Sequence, residues 1–203
     1  MSPGKLIVAA VLAAALAAGI VLALRSQSPA VPLHATVLEP PAALPEFDLV
    51  DHNGDGIGRS AFEGQWDLVF FGFTQCPDIC PATLQVLAAA KAELEDRGQV
   101  PLPRIVLVSV DPERDTPDVM SRYVGYFGDG HLGITGELAE IRKLTDGLGI
   151  YFRKQATGAD DYTVDHSAAV LAVDPAGRFS AVFGGQHVVE NYLNDLPVIM
   201  EAG

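Results

Sequence analysis

Three short apolar runs, rich in branched and aromatic residues, constrain the fold most strongly. They lie at residues 68–73, 105–110 and 168–173. Because each run is apolar at consecutive positions, both faces of the corresponding strand are expected to be buried, as in a mostly parallel sheet between helix layers. The turn residues 174–177 follow the third run and predict an antiparallel hairpin with a strand at 179–183.

Amphipathic helical patterns separate these predicted strands. Apolar residues recur at helical spacing over 83–96, 138–148 and 189–200. Thr116 followed by Pro117 predicts the N-cap and first turn of another helix. Strands that alternate with helices and end in a hairpin and a helix predict an α/β layered domain.

The composition excludes several functional classes. The chain has 13 Lys and Arg against 26 Asp and Glu, for a net charge of −13, which excludes nucleic-acid binding through a basic groove. At 49% hydrophobic and 19% charged residues, it is neither disordered nor collagen-like. Its 2 cysteines permit one disulfide, one shared metal site, or neither.

The N-terminus carries an uncharged apolar run at residues 6–24, bracketed by Lys5 and Arg25. As a helix this run is roughly 28 Å long, close to the thickness of a bilayer core. It predicts a transmembrane anchor over residues 1–25, and its length favours retention over the alternative of a cleaved signal peptide. We expect a single-pass protein of the inner (cytoplasmic) membrane, with the C-terminal bulk on the exported, periplasmic side.

Residues 26–46 are rich in proline and almost uncharged. This composition predicts a semi-extended linker that holds a folded domain away from the membrane surface. The folded domain is expected to occupy residues 47–203.

The chemistry of the chain centres on Cys76 and Cys80, which follow the first predicted strand and precede a helix. At such a junction, backbone N–H groups and the helix dipole stabilise a thiolate, the form that binds metals and attacks disulfides. Positions i and i+4 share one helical face. The spacing therefore allows a disulfide between the two sulfurs, or one soft ion held by both, such as Cu(I) or zinc.

We expect a third metal ligand to be an imidazole. His166 immediately precedes the third apolar strand, and its position alone favours a structural role. His187, at the start of the last predicted helix, is a second candidate. The chain has 5 histidines in all: His34, His52, His131, His166 and His187.

The acidic segment 111–115 follows the second predicted strand. We interpret it as a charge cluster at the N-terminus of the helix that Thr116 begins, with a docking role or support of the site as the alternative. Asp165 precedes His166 directly, and adjacent side chains of an extended chain point to opposite sides. Asp165 is therefore a poor candidate for orienting that imidazole.

Three segments of the chain, in order, resemble the signature segments of the Sco (SenC) family, over about residues 45–200. They are residues 76–81 (CPDICP), 111–116 (DPERDT) and 161–167 (DYTVDHS). The resemblance implies an α/β, thioredoxin-like domain with a central mixed sheet, preceded by one N-terminal transmembrane helix. It also implies that Cys76, Cys80 and His166 bind copper, as Cu(I), Cu(II) or both.

The resemblance implies a membrane-anchored copper chaperone that supports assembly of the copper site of cytochrome c oxidase. Its partners would be the copper-site subunit of the oxidase and an upstream copper donor or thiol reductant. The alternative is a thiol–disulfide oxidoreductase whose redox pair, Cys76 and Cys80, reduces cysteines of that subunit or of other exported proteins. The CxxxC spacing, and a histidine that dithiol exchange does not need, favour the copper function.

Overall fold

The structure, a computed structural model, describes residues 3–4, 11–19, 31–158 and 161–202. It divides into two units, Met1–Val31 and Pro32–Gly203. In the first unit, residues 11–19 are helical. The predicted membrane anchor lies largely outside the described residues, and the described part of the chain contains no helix with the length and apolar character needed to cross a membrane.

The described part of the second unit contains an eight-stranded sheet, a separate two-stranded sheet and four α-helices. The strands β1 to β10 are Ala35–Ala43, Leu49–Asp51, Gly56–Ile57, Asp67–Gly72, Arg104–Ser109, Leu132–Thr135, Phe152–Ala156, Tyr162–His166, Val170–Val173 and Arg178–Phe183. The helices α1 to α4 are Ile79–Asp96, Pro117–Gly125, Leu138–Gly147 and Val189–Ala202. The larger sheet has the strand order β1-β10-β9-β4-β5-β6-β2-β3, and β7 pairs with β8 in the smaller one.

The larger sheet is mixed, so the expectation of a mostly parallel sheet is wrong, whereas the mixed α/β fold implied by the resemblance is confirmed. Strands β4, β5 and β6 run parallel, but β9 is antiparallel to both β4 and β10. The tight turn between β9 and β10 requires that pair to be antiparallel, because a few residues can join antiparallel strands only. All six residues of β4 are buried, as its apolar run predicts.

The four predicted helices are confirmed. Thr116 caps α2, because its hydroxyl oxygen accepts a hydrogen bond from the backbone N–H of Val119 at 3.4 Å. Helix α1 begins at Ile79, earlier than the predicted 83. Pro81 does not prevent this early start, since N–H groups in a first helical turn have no partner within the helix.

The predicted linker over residues 26–46 needs a correction, because residues 35–43 form β1 and pair antiparallel with β10. The register shifts between Val37 and Ala42, a stretch that contains Pro40 and Pro41. Proline is compatible with edge strands and with irregular positions, where its missing N–H breaks no ladder hydrogen bond. Pro40 and Pro41, two of the prolines that suggested a spacer, thus lie in an edge strand of the sheet.

Asp195 of α4 fixes the chain that enters β1. Its carboxylate accepts backbone hydrogen bonds from Leu33, His34 and Ala35 at 2.9, 2.6 and 2.7 Å. The side chain is almost completely buried, at 1% exposure. A buried carboxylate that accepts several N–H bonds contributes strongly to stability, because each bond is assisted by its charge.

We expect Asp195→Ala to lower the free energy of unfolding by about 3 kcal/mol, because three backbone N–H groups lose their acceptor. Asp195→Asn keeps one acceptor oxygen and should cost less. Urea denaturation of both variants measures the difference. An alanine variant as stable as the original protein would show that these hydrogen bonds do not hold β1 in place.

Candidate metal centre

The two cysteines lie in the turn between β4 and α1. The backbone N–H of Cys80 donates to Cys76 Sγ at 3.4 Å, and the N–H of Cys76 donates to the Phe73 carbonyl at 3.3 Å. Both thiols are free. Cys80 is fully buried and Cys76 is 9% exposed, so only Cys76 reaches the protein surface.

Gly72 makes room for the Cys80 sulfur at the end of β4. A Cβ at this position would lie 2.9 Å from Cys80 Sγ and 2.9 Å from a ring carbon of Phe70. Both distances are shorter than van der Waals contact, so no larger residue fits without displacing the sulfur or the ring. No sequence pattern marks Gly72, because only the three-dimensional packing shows this requirement.

His166, the last residue of β8, reaches the cysteines from a distant part of the chain. Its Nε2 atom lies 3.2 Å from Cys80 Sγ, and its Nδ1 atom lies 3.0 Å from the Ser167 carbonyl oxygen. A carbonyl oxygen only accepts hydrogen bonds, so Nδ1 carries the proton and Nε2 directs a lone pair toward the sulfur. The rings of Phe70 and Phe73 pack edge-on against the imidazole, with centroids 5.7 and 5.9 Å away.

The structure brings the three residues singled out by the resemblance into one group. The two sulfurs and one imidazole nitrogen all lie within 4.8 Å of one another, and the described residues add no further Cys, His, Asp or Glu to the group. The position of His166 in the sequence favoured a structural role, but the fold places its ring against the sulfurs. The role of these three residues as metal ligands stays a prediction.

His187, the second candidate, uses both ring nitrogens elsewhere. Nε2 donates to the Ala168 carbonyl at 2.6 Å, and Nδ1 accepts from the Tyr192 hydroxyl at 2.6 Å. His187 therefore joins the start of α4 to the chain before β9, which is a structural role.

The environment of the two sulfurs separates their acidities. The hydrogen bond with Cys80 lowers the pKa of Cys76 to about 4, and hydrogen bonds from backbone N–H groups act in the same direction against the effect of burial. The hydrogen bond with Cys76 and burial raise the pKa of Cys80. At neutral pH, the metal-free pair therefore consists of a thiolate at Cys76 and a thiol at Cys80.

We expect the alkylation rate of Cys76 by iodoacetamide to stay nearly constant between pH 6 and 9, because a thiol with a pKa of about 4 is already ionised throughout this range. An ordinary thiol would react about tenfold faster per pH unit over the lower part of the range. Mass spectrometry of the reduced protein follows the modification site by site, and buried Cys80 should remain unmodified.

Cys80→Ala is the matched control for this experiment. This variant lacks the hydrogen bond that lowers the pKa of Cys76 most, so the rate of Cys76 alkylation should increase with pH. A rate that rises steeply between pH 7 and 9 in the unmodified sequence would contradict the assigned thiolate.

The acidic segment 111–115 directly precedes the cap of α2, as expected, but it is more than a charge cluster at a helix end, because Asp111 and Asp115 are buried. Asp115 accepts hydrogen bonds from the backbone N–H of Thr74 at 3.1 Å, from the Thr74 hydroxyl at 2.6 Å and from the Ser109 hydroxyl at 2.7 Å. Burial raises the pKa of Asp115, and these hydrogen bonds oppose the rise. Asp115 thus joins the end of β5 to the loop that carries Cys76.

Asp165 behaves as the extended chain predicts. Its carboxylate is exposed and accepts a hydrogen bond from the Gln155 side chain at 2.9 Å. The partner that orients the His166 ring is instead the Ser167 carbonyl. This carbonyl could not be identified from the sequence, since every residue carries a backbone carbonyl whatever its type.

A depression of about 330 Å³ opens beside the cysteines. It is lined by Phe73, residues 76–79 and residues 163–166. Both Cys76 and His166 therefore border a space that an ion or a segment of another protein can enter. The arrangement can bind a soft ion or exchange a disulfide with a second protein.

The family model described as SCO1/SenC matches residues 36–201. The chain belongs to the SCO1/SenC family. A relative from Stutzerimonas stutzeri is 34% identical over 161 residues, which cover 78% of each protein. The "Protein SCO2 homolog, mitochondrial" of Mus musculus is 37% identical over 152 residues, or 74% of this chain and 60% of the mouse protein.

Solved structures of the SCO1/SenC family share the fold. The crystal structure of Arabidopsis thaliana ScoI with copper bound is 31% identical in sequence, with a TM-score of 0.75. The match covers 80% of this chain and 100% of that one. The chain spans about 60% of the length of the mouse relative.

Proposed function

We propose that this protein binds copper through Cys76, Cys80 and His166 and delivers it during assembly of the copper site of cytochrome c oxidase. The observation that carries the proposal is the convergence of two sulfurs and one imidazole nitrogen within 4.8 Å. The copper-bound Arabidopsis relative supports copper as the ion. Copper is here the cargo that the protein carries.

The donor set fits copper on chemical grounds. Thiolate sulfur and imidazole nitrogen prefer soft or borderline ions, and Cu(I) is stable with few ligands. Structural zinc sites use four protein ligands, whereas the described residues supply three. Because Cys76 is already ionised at neutral pH, copper binding displaces a proton mainly from Cys80.

The open side of the site suits a protein that gives its ion away. Cys76 lies at the edge of the depression, while Cys80 is fully buried behind it. A ligand of an acceptor protein can therefore approach the ion from the Cys76 side. A closed cage of buried ligands would instead retain the ion.

We further propose that residues 1–25 anchor the protein in the inner membrane, with the copper domain on the exported side. The support is the uncharged apolar run at residues 6–24 and its flanking cations. Expressed in a bacterial host, the full chain should stay in the membrane pellet after carbonate extraction. Its recovery in the supernatant would indicate cleavage or the absence of an anchor.

Thiol–disulfide exchange is the second candidate function, favoured by the lowered pKa of Cys76. In this reaction the Cys76 thiolate attacks a partner disulfide, and one partner sulfur leaves as a thiolate. Cys80 then loses its proton and attacks the Cys76 sulfur, which releases the second partner thiol. The partner gains two electrons, and a thiol reductant must later reduce the Cys76–Cys80 disulfide.

Replacement of His166 separates the two functions. His166→Ala should weaken copper binding by about 100-fold or more. Loss of a metal ligand should cost more affinity than loss of a residue that only orients a ligand, which typically costs about 10- to 100-fold. Reduction of insulin disulfides should remain, since dithiol exchange needs only the cysteines. Anaerobic titration of the reduced protein with Cu(I) against a competing chelator measures the affinity.

His34→Ala is the matched control, since the His34 side chain is exposed and lies outside the metal group. This variant should bind copper like the unmodified sequence. Cys80→Ser should lose both tight copper binding and disulfide reduction. If His166→Ala bound copper with unchanged affinity, the three-ligand site would be wrong.

A further inference from the structure

The hairpin that carries His166 stands apart from the central sheet. Strands β7 and β8 pair only with each other among the described strands. A two-stranded hairpin is marginally stable by itself, so packing against the rest of the protein must hold it in place. Phe152 and Val164 bury their side chains in the core, but apolar contacts do not fix the position of a hairpin as sharply as directional bonds do.

Arg114 supplies directional bonds to this hairpin. Its Nη1 atom donates to the Tyr162 carbonyl at 3.1 Å, and its guanidinium carbon lies 3.8 Å from the centroid of the Tyr162 ring. Asp111 completes the cluster, because it forms an ion pair with Arg114 and accepts the Tyr162 hydroxyl at 2.8 Å. Tyr162 begins β8, and His166 ends it.

The same guanidinium also contacts the loop that carries the cysteines. Nη1 lies 3.3 Å from Gln75 Oε1, next to Cys76 in the sequence. The guanidinium carbon lies 5.8 Å from the ring centroid of Phe73, whose edge packs against His166. Arg114 thus contacts both segments that supply the candidate ligands, yet it contacts none of the three donor atoms.

Arginine is required for this set of contacts. A planar guanidinium can donate to a carboxylate, a carbonyl and an amide while its face stacks on an aromatic ring. The ammonium of lysine is a compact charge, so it cannot stack on an aromatic ring and donate hydrogen bonds to several separate acceptors at the same time. The Arg114 side chain is only 19% exposed, so water screens its interactions weakly.

Lys154 contacts the same tyrosine but is exposed. Its Nζ atom lies 3.6 Å from the Tyr162 ring centroid and 2.7 Å from Glu113 Oε2. The side chains of this ion pair are 48% and 63% exposed, and such surface pairs contribute little to stability. Lys154 is therefore a matched control for Arg114 on the same hairpin.

We propose that Arg114 is a positioning residue that holds the β7–β8 hairpin against the cysteine loop and thereby keeps His166 at the sulfurs. The proposal rests on copper binding by the three ligands. Without Arg114, the hairpin would populate arrangements in which His166 is displaced. The apparent copper affinity then decreases, because only the molecules that have the imidazole in place bind copper tightly.

A double-mutant cycle tests whether Arg114 acts through His166. Arg114→Ala should weaken Cu(I) binding by about 10-fold, within the range for groups that orient metal ligands. Added to His166→Ala, it should change the affinity no further, because no imidazole remains to be positioned. Arg114→Lys should bind as weakly as Arg114→Ala, whereas Lys154→Ala should bind like the unmodified sequence.

Hydrogen exchange of the reduced, metal-free protein gives a readout independent of copper. Arg114→Ala should increase exchange of the β7 and β8 amides while leaving β4 and β5 protected. A purely structural role would raise exchange throughout the sheet. If Arg114→Ala does not fold, Tyr162→Phe removes the hydroxyl bond to Asp111 and should weaken copper binding about threefold, again only when His166 is present.

The other possible outcomes refute either the positioning role of Arg114 or the proposed copper site. An equal loss of affinity with and without His166 would show that Arg114 acts on the cysteines or on the fold, and not on the hairpin. Unchanged affinity and unchanged exchange in Arg114→Ala would also refute the positioning role. If His166→Ala alone leaves the affinity unchanged, the proposed copper site fails, and hydrogen exchange alone then decides whether Arg114 holds the hairpin.

Discussion

The complete burial of β4 is the constraint on which the site depends. A strand buried on both faces cannot carry polar side chains in its middle, so the polar groups collect where it ends. At that end Gly72 leaves space for the Cys80 sulfur, and the chain turns directly into α1. Asp115, in the loop between β5 and α2, fixes the same turn through Thr74. The cysteines are therefore held in place by buried packing and by hydrogen bonds.

His166 is held by a different kind of support. It lies on a hairpin outside the central sheet, so its distance from the sulfurs depends on side-chain contacts and not on a strand ladder. The two sulfurs and the imidazole are thus held by different parts of the fold, the sulfurs by the turn after β4 and the imidazole by a separate hairpin. If the three residues bind copper as proposed, release of the ion can begin with loss of the imidazole alone.

The sequence was sufficient to predict β4, β5, β9, β10 and the four helices, since these depend on local periodicity. It also located the cysteines and the Thr116 cap. It did not predict β6, although all four residues of that strand are buried. It failed at β1, because prolines at an irregular edge strand have the same composition as prolines in a spacer. It could not assign His166 from position alone: the contact with Cys80 joins residues 86 positions apart, and only the family resemblance pointed to it. Arg114 was missed for the same reason, since its partners lie in three separate segments.

Copper binding and disulfide exchange make opposite demands on Cys80. Exchange requires Cys80 to ionise after Cys76 has entered the mixed disulfide, when the Cys76 thiolate is gone but burial still raises the pKa of Cys80. A bound cation instead supplies positive charge at the position where the second thiolate forms, which offsets the cost of burying that thiolate. The acidity of Cys76 serves both reactions equally and does not distinguish them. The full burial of Cys80 therefore favours a bound metal over disulfide exchange at this site.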